Sequence, residues 1–437
     1  MQETINKDIP EPEKLIAVTQ DELNDILEIH AMFLRGQVGG KRAMLQYKNL
    51  SDLNFHNHDL SQADFTGSIL SRADLSLGTY KCACFFACNL EDADLSYSDM
   101  SRTDLRGAYL SGANLSGTDF TDADMREGKV MQKGKDGGLV NRKRSGGEGT
   151  KTILTGAHLS NANLSGVKAS SADFTDANLS KVTTHNANLK GATLKGANLS
   201  NADFTGANIT NVNMRDAIIS GIILEGTEKF GLDTTNCITD DDIGKKIKDT
   251  YQTLEQLLYD HDIWLNTKGK KGSRLNLDGY DLRDITDLRM YKLTAIHAVN
   301  AYFLNLDLNR ISMQSAILDG SDFRDCYMEN ADLRGSSLKN VTMVRANLRG
   351  AQLSPLQFKT KGKIPKLNRI DLSGADLRFT NLQQADMRDS IMMGVDLTNA
   401  DLSGADLRRA DLSGAIIKNT CLDDAKLDGA IINFKDI

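Results

Sequence analysis

The sequence predicts an all-β solenoid, wound in square coils, with short α-helices at the N-terminus and in a central insert. Three observations predict it: a large apolar residue recurs at every fifth position, a small residue sits two places before each one, and aromatic or sulfur-bearing side chains repeat at a spacing of 20.

In the opening array the apolar centres run from Leu45 through Leu50, Phe55, Leu60 and Phe65 to Leu115, Phe120 and Met125, and only Tyr80 departs from an aliphatic side chain or Phe. Ala43, Ala63, Ala73, Ala83, Ala93, Ala108, Ala113 and Ala123 fill the small position, with Asp or Asn usually between. Neither ordinary element accommodates this period. Five helical steps of about 100° leave successive centres roughly 140° apart, and five strand steps flip each centre to the opposite face. A chain that turns the same way after every unit keeps all centres inward, and the frequent Gly, Asn, Asp and Ser supply the turn chemistry. Four such turns close a coil of about 20 residues, which stacks on the next at ~4.8 Å and buries a Leu/Ala column that no single coil could bury. The pairs Phe65/Phe85, Met100/Phe120 and Phe303/Phe323, each 20 apart, would then lie directly over one another.

Runs such as ADLSGADLRRADLSGA at 400–415 resemble the pentapeptide-repeat family, and the resemblance spans roughly three quarters of the chain. It implies a right-handed quadrilateral β-helix. Members include proteins that resemble duplex DNA in shape and charge and that protect or inhibit type II topoisomerases; others are scaffolds.

Phase counting divides the chain. Residues 1–44 form a tail and capping helix, in which Thr19 and Glu22 make a capping box ahead of the apolar face Leu23, Ile26, Leu27, Phe33 and Leu34. Array 1 covers 45–125, a Gly-rich, basic and flexible loop 126–151, and array 2 residues 152–224, one residue out of phase with array 1. A linker at 225–274 holds a second helix, expected to be capped by Thr239 and to bury Ile243, Ile247, Leu254, Leu258 and Leu265. Array 3 follows over 275–358, a second basic loop over 359–370, and array 4 over 371–437. Residues 26–50 align with 257–282, pairing His30 with His261, Phe33 with Trp264 and Arg42 with Arg274. This implies duplication into modules of roughly 1–235 and 236–437, each helix covering the exposed edge of its first coil. The C-terminal repeats run on in phase to Ile432, so a bare last coil and a homodimer or end-to-end oligomer through it are expected.

Composition sets further bounds. The 437 residues carry 52 basic and 59 acidic side chains, a formal charge of -7, too mild to announce nucleic acid. The start lacks the basic and apolar regions of a secretory signal, and no apolar run approaches a membrane span. Six cysteines at unrelated spacings imply a reducing compartment, so a cytoplasmic location is expected.

Candidate chemistry is sparse. Cys82, Cys84 and Cys88 form a C-x-C-x-x-x-C cluster, but Cys88 occupies an inward position and Cys84 an outward one. His56 and His58 have no third ligand at suitable spacing. GGEGTKT at 146–152 lacks the order and setting of a phosphate loop. No nucleophile, base and oxyanion donor combine, so no enzyme activity, cofactor or metal is expected.

Local charge offers more. Residues 50–125 hold 12 acidic and 4 basic side chains, a net of -8. Coils of four units stack Asp64, Asp104 and Asp124 on one face and Asp59, Asp99 and Asp119 on another, columns that could imitate phosphates. The loop 126–151 holds 8 basic and 3 acidic side chains, net +5, including Lys133, Lys135, Arg142, Lys143 and Arg144. The expected function is a scaffold that binds a protein partner through its outer faces and basic loops, without direct nucleic-acid binding. The alternative that the resemblance implies is a DNA-mimicking regulator or protector of a topoisomerase such as gyrase.

Overall fold

Each five-residue unit forms one side of a square coil, and one backbone turn makes the corner. The Ala63 N–H donates to the Leu60 carbonyl at 3.0 Å across a turn whose third residue, Gln62, has φ 67°. This is type II geometry, which asks for positive φ at that place and so favours Gly, Asn and Asp. The computed structural model describes residues 15–128, 131–133, 139–141, 151–241, 243–285, 287–358 and 366–432, and the same corner recurs throughout its coils. The fold is a right-handed quadrilateral β-helix.

Coils are joined by parallel bridges between residues 20 apart: Met44 with Asp64, Asn49 with Ile69, Asn54 with Asp74, and Asp59 with Thr79. Around one bridge, the Leu45 N–H donates to the Asp64 carbonyl at 2.7 Å and the Asp64 N–H to the Ala43 carbonyl at 3.0 Å. The inward centres stack as the spacing predicts. Phe65 and Phe85 lie parallel with ring centroids 4.6 Å apart, as do Phe303 and Phe323 at 4.4 Å. Tyr80 is fully buried and donates its hydroxyl to the Leu75 carbonyl at 3.2 Å, which satisfies the one polar atom it brings inside. At the corners a second stacking rule operates: a methyl group on Gly196 (φ +66°) would overlap Oδ1 of Asp176, one coil earlier. Glycine there is required twice, by its backbone conformation and by its neighbour.

The chain divides into two compact units, Met1–Asp241 and Asp242–Ile437. In the first, the short strand β1 (Ile16–Ala17) pairs in parallel with β2 (Lys48–Asn49), and α1 (Gln20–Leu34) follows behind the capping box of Thr19 and Glu22. Cover for the first coil is therefore an edge strand plus a helix. The ladder passes over the insertion without a gap, since Tyr109 bridges Ile153 and Asp124 bridges Lys168. Repeats run past residue 224, where array 2 was expected to end, because Glu228, Asp233 and Ile238 still bridge the preceding coil. Insertion 126–151 is more than a flexible loop: β3 (Met131–Lys133) and β4 (Leu139–Asn141) pair antiparallel within it.

In the second unit α2 spans Leu254–Asn266 behind Thr253, and does not start at Thr239. Thr239 instead accepts from the Asp241 N–H at 3.1 Å, and Lys245 bridges Tyr280 as the edge strand of this unit. Gly244 passes so close to the Gly279 carbonyl that no side chain fits, so a helix through this stretch would have to abandon the pairing. A 3-10 turn at Ile247–Asp249 precedes the helix. The first coil of this unit carries one extra residue: Asp281 bridges Tyr302, 21 residues on, whereas Lys292 bridges Ser312 at the regular 20. Beside this slip, Lys246 is buried with Nζ 2.9 Å from both Asp281 and Asp284, and Arg283 holds Asp281 at 2.7 Å. Later, β5 (Leu356–Phe358) and β6 (Lys366–Asn368) form an antiparallel hairpin, and Ser337 bridges Asp371 past it. Residues after Ile432, on which the bare last coil depends, lie outside those described.

Two outcomes follow from this packing. Phe85→Ala removes a ring stacked on Phe65 and should cost about 3–5 kcal/mol in chemical denaturation, whereas a loss below about 1 kcal/mol would mean the column relaxes freely. Asp281→Asn leaves buried Lys246 with only the exposed Asp284 and partly buried Arg283 without its carboxylate, and should destabilise by about 3–5 kcal/mol. Burial pushes the Asp281 carboxyl up, but hydrogen bonds from Arg283 and Lys246 outweigh it and bring it to about 2, below the ordinary 3.8. Its contribution is complete above pH 3.8 and is lost as pH falls towards 2, so acid titration should narrow the gap between the Asn variant and the parent in that window.

Candidate functional site

The acidic columns form, with interruptions. Asp64, Cys84, Asp104 and Asp124 are joined by successive bridges on one face, and Asp59, Thr79, Asp99 and Asp119 on another. The outward aspartate precedes a centre and a corner, so its Oδ1 lies within reach of the N–H two residues on. All six nominated carboxylates accept that bond: Ser61 on Asp59, Thr66 on Asp64, Ser101 on Asp99, Arg106 on Asp104, Thr121 on Asp119 and Arg126 on Asp124, at 2.9–3.2 Å. Four also have a cation beside them. Arg42 lies 3.7 Å from Asp64 and Lys81 3.0 Å from Asp99, while Arg106 and Arg126 stand at 2.7 Å from Asp104 and Asp124. The hydrogen bond that Lys81 donates to Asp99, joined by the fields of Asp99, Asp119 and Asp59, raises the Lys81 pKa. The columns are thus largely a corner-stabilising device that is internally compensated.

The cysteines part as their positions predict. Cys88 is buried and donates to the Phe65 carbonyl at 2.9 Å, and burial pushes its thiol up; Cys84 lies 3.2 Å from Thr66 Oγ1; Cys82 is exposed. His56 reaches Ser76 Oγ at 2.8 Å. Among the described residues no His, Cys, Asp or Glu side chains converge in a group able to hold a metal ion, and no helix is long and apolar enough to cross a membrane.

Lys133 ends β3, while Lys135, Arg142, Lys143 and Arg144 lie outside the described residues. Sequence phase alone missed a relation between the two basic insertions. Met131 pairs with Asn141, Gln132 with Val140 and Lys133 with Leu139; in the second unit Leu356 pairs with Asn368, Gln357 with Leu367 and Phe358 with Lys366. The register is the same, with Gln opposite an aliphatic residue and an aliphatic residue opposite Asn in both. The exits match too. Asp104 and Asp332 are each clasped by the arginine two residues on, Nε to Oδ1 at 2.9 Å and Nη2 to Oδ2 at 2.7 Å. One coil later, after Asp124 and Gln352, the hairpins leave. At the hairpin bases the Gly107 N–H donates to Thr152 Oγ1 at 3.1 Å, and Asn368 Nδ2 donates to the Gly335 carbonyl at 2.5 Å. Residues 356–369 hold five basic side chains and no acidic one, so this insertion carries the same +5 as residues 126–151. The shared spacing of Gln and Asn was the available signal, too short to read without the pairing.

The family model for pentapeptide repeats matches residues 49–77, 88–126, 150–182, 185–226, 316–354, 365–394 and 390–429, more than half of the chain. No curated protein matches it. Among solved structures the chain is similar to a pentapeptide repeat protein of the Arabidopsis thaliana thylakoid lumen, at 26% identity over 28% of this chain and 68% of that one, with TM-score 0.21. It is similar to a trypsin-treated form of QnrB1, a plasmid-mediated fluoroquinolone resistance protein, at 19% identity over 43% and 86%, with TM-score 0.25. HetL, a pentapeptide repeat protein involved in heterocyst differentiation regulation in the cyanobacterium Nostoc, is similar at 20% identity over 92% and 96%, with TM-score 0.17. From the repeat, the square coils and the match to the family over most of its arrays, the chain belongs to the pentapeptide-repeat family.

Proposed function

We propose that this chain is a cytoplasmic scaffold that holds an acidic protein partner through its two basic insertions, with the outer coil faces supplying contact area. The observation that carries the reading is the contrast in charge. Carboxylates on the faces are spent on corner N–H groups and on neighbouring Arg and Lys, whereas each insertion carries a net +5 at an equivalent place, with Arg126 of the first committed to the Asp124 carboxylate. Lys133, Lys135, Arg142, Lys143 and Arg144 in the first and Lys359, Lys361, Lys363 and Lys366 in the second are the residues assigned to the partner. Charge on projecting hairpins favours fast, salt-sensitive association over permanent assembly.

Affinity capture with the full chain tests this. The expected result is an acidic protein whose binding weakens about tenfold, roughly 1.4 kcal/mol, when the five basic residues of the first insertion become Ser, and further when the four of the second do. Capture unchanged in the doubly altered chain would refute it.

A second reading, a DNA-mimicking regulator of a topoisomerase, is favoured by the excess of eight negative charges over residues 50–125 and by the register of the Asp columns. It predicts inhibition or protection of gyrase in a supercoiling titration at micromolar chain, abolished by Asp59→Asn, Asp99→Asn and Asp119→Asn together. Supercoiling unaffected by the parent chain would remove it.

A further inference from the structure

We infer that both units carry the same acid-labile clasp: a buried neutral histidine on the capping helix that accepts a hydrogen bond from the first coil and lets the cap go when it is protonated. In the first unit, His30 of α1 is fully buried and its Nδ1 accepts from the Ala43 N–H at 3.0 Å. In the second, His261 of α2 is 1% exposed and its Nδ1 accepts from the Leu275 N–H at 3.0 Å. Each ring stacks on an aromatic one helical turn later, Phe33 at 5.6 Å and Trp264 at 5.7 Å. The donors are matched as well, since Ala43 and Leu275 lie where the chain enters its first coil.

The geometry dictates the tautomer. An Nδ1 that accepts must be unprotonated, so the ring proton sits on Nε2. That of His261 points at the Thr294 carbonyl, 3.1 Å away, while His30 Nε2 makes no well-formed hydrogen bond, although the Ser61 and Lys41 carbonyls lie near the ring. A second proton on Nδ1 would place two donors face to face, in a site without water-exposed surface, and would strand a cation there. The charged groups around each ring do not rescue it. Asp59 attracts and Arg42 repels at His30; at His261 Arg274 repels, and Asp262 on the same helix attracts. Desolvation dominates at both, holding the histidines below their ordinary 6.5, against the Ser61 carbonyl at His30 and the Thr294 carbonyl at His261. A depressed folded-state value means that the clasp contributes fully above pH 6.5 and loses strength as pH falls through the folded value. What it releases is specific: α1 with the adjoining strand β1 that covers Lys48–Asn49, and α2 with the Lys245 bridge that covers Tyr280.

Amide hydrogen exchange on the full chain at pH 7.5 and pH 5, corrected for intrinsic rates, tests the clasp. The Ala43 and Leu275 amides should lose protection as pH falls below 6.5, by at most about tenfold per pH unit until the folded value is reached, while mid-solenoid amides such as Asp94 and Asn347 hold theirs. His30→Asn and His261→Asn place a carbonyl acceptor that does not titrate near the Nδ1 position, and each should flatten the pH response of its own clasp alone. Equal protection of Ala43 and Leu275 at the two pH values in the parent would overturn the inference. So would an unchanged pH response in the Asn variants, or loss at Asp94 and Asn347 in step with the clasps.

Discussion

One backbone constraint runs through the whole protein: every fifth residue must take positive φ so that the chain turns the same way again. The inward Leu, Phe and Met columns depend on it, because a single corner of the wrong hand would throw the next centre outside. Many corners are held by Asn, Asp or Gly, which tolerate the conformation, but Tyr47, Leu77, Tyr97 and Phe379 hold it as well. Such bulky side chains cost of order 1–3 kcal/mol in this region, and the neighbouring coils, hydrogen-bonded above and below, supply what keeps them there. Stability in this architecture is therefore a property of stacked coils more than of single repeats.

The same constraint governs the outer chemistry. A carboxylate placed just before a centre finds the N–H two residues on, so its first use is structural. Where the residue bearing that N–H is Arg, as at Arg106, Arg334, Arg388 and Arg408, the side chain folds back onto the carboxylate and neutralises it. Outward acidity counted from sequence thus overstates the acidity a partner would meet. Apart from Arg126, which clasps Asp124, the basic residues of the insertions seldom follow a carboxylate by two places, which is why the functional reading moves from the columns to the hairpins.

Interruptions of the repeat carry the individuality of the molecule. Both units begin with an edge strand and a helix clasped by histidine, and both emit a hairpin one coil after an Asp–Arg pair. They differ where the second unit slips by a residue and buries Lys246 against Asp281. A buried ion group of this kind adds little net stability over an apolar filling.

Sequence alone determined the solenoid, its phase changes, the helix at residues 20–34 and the pairing of His30 with His261, because each rests on a periodicity or a local capping signal that survives without neighbours. Tertiary structure decided the rest. The second helix starts at Leu254 because Lys245 is needed as an edge strand, a demand set by Tyr280, 35 residues away in the chain. The hairpins became comparable only when pairing revealed their common register, and the Asp columns lost part of their free charge only when side-chain partners were known. In the first two cases the deciding contact joins residues from different coils or across an insertion, and a five-residue motif, identical at every corner, holds no information about which neighbour it will meet.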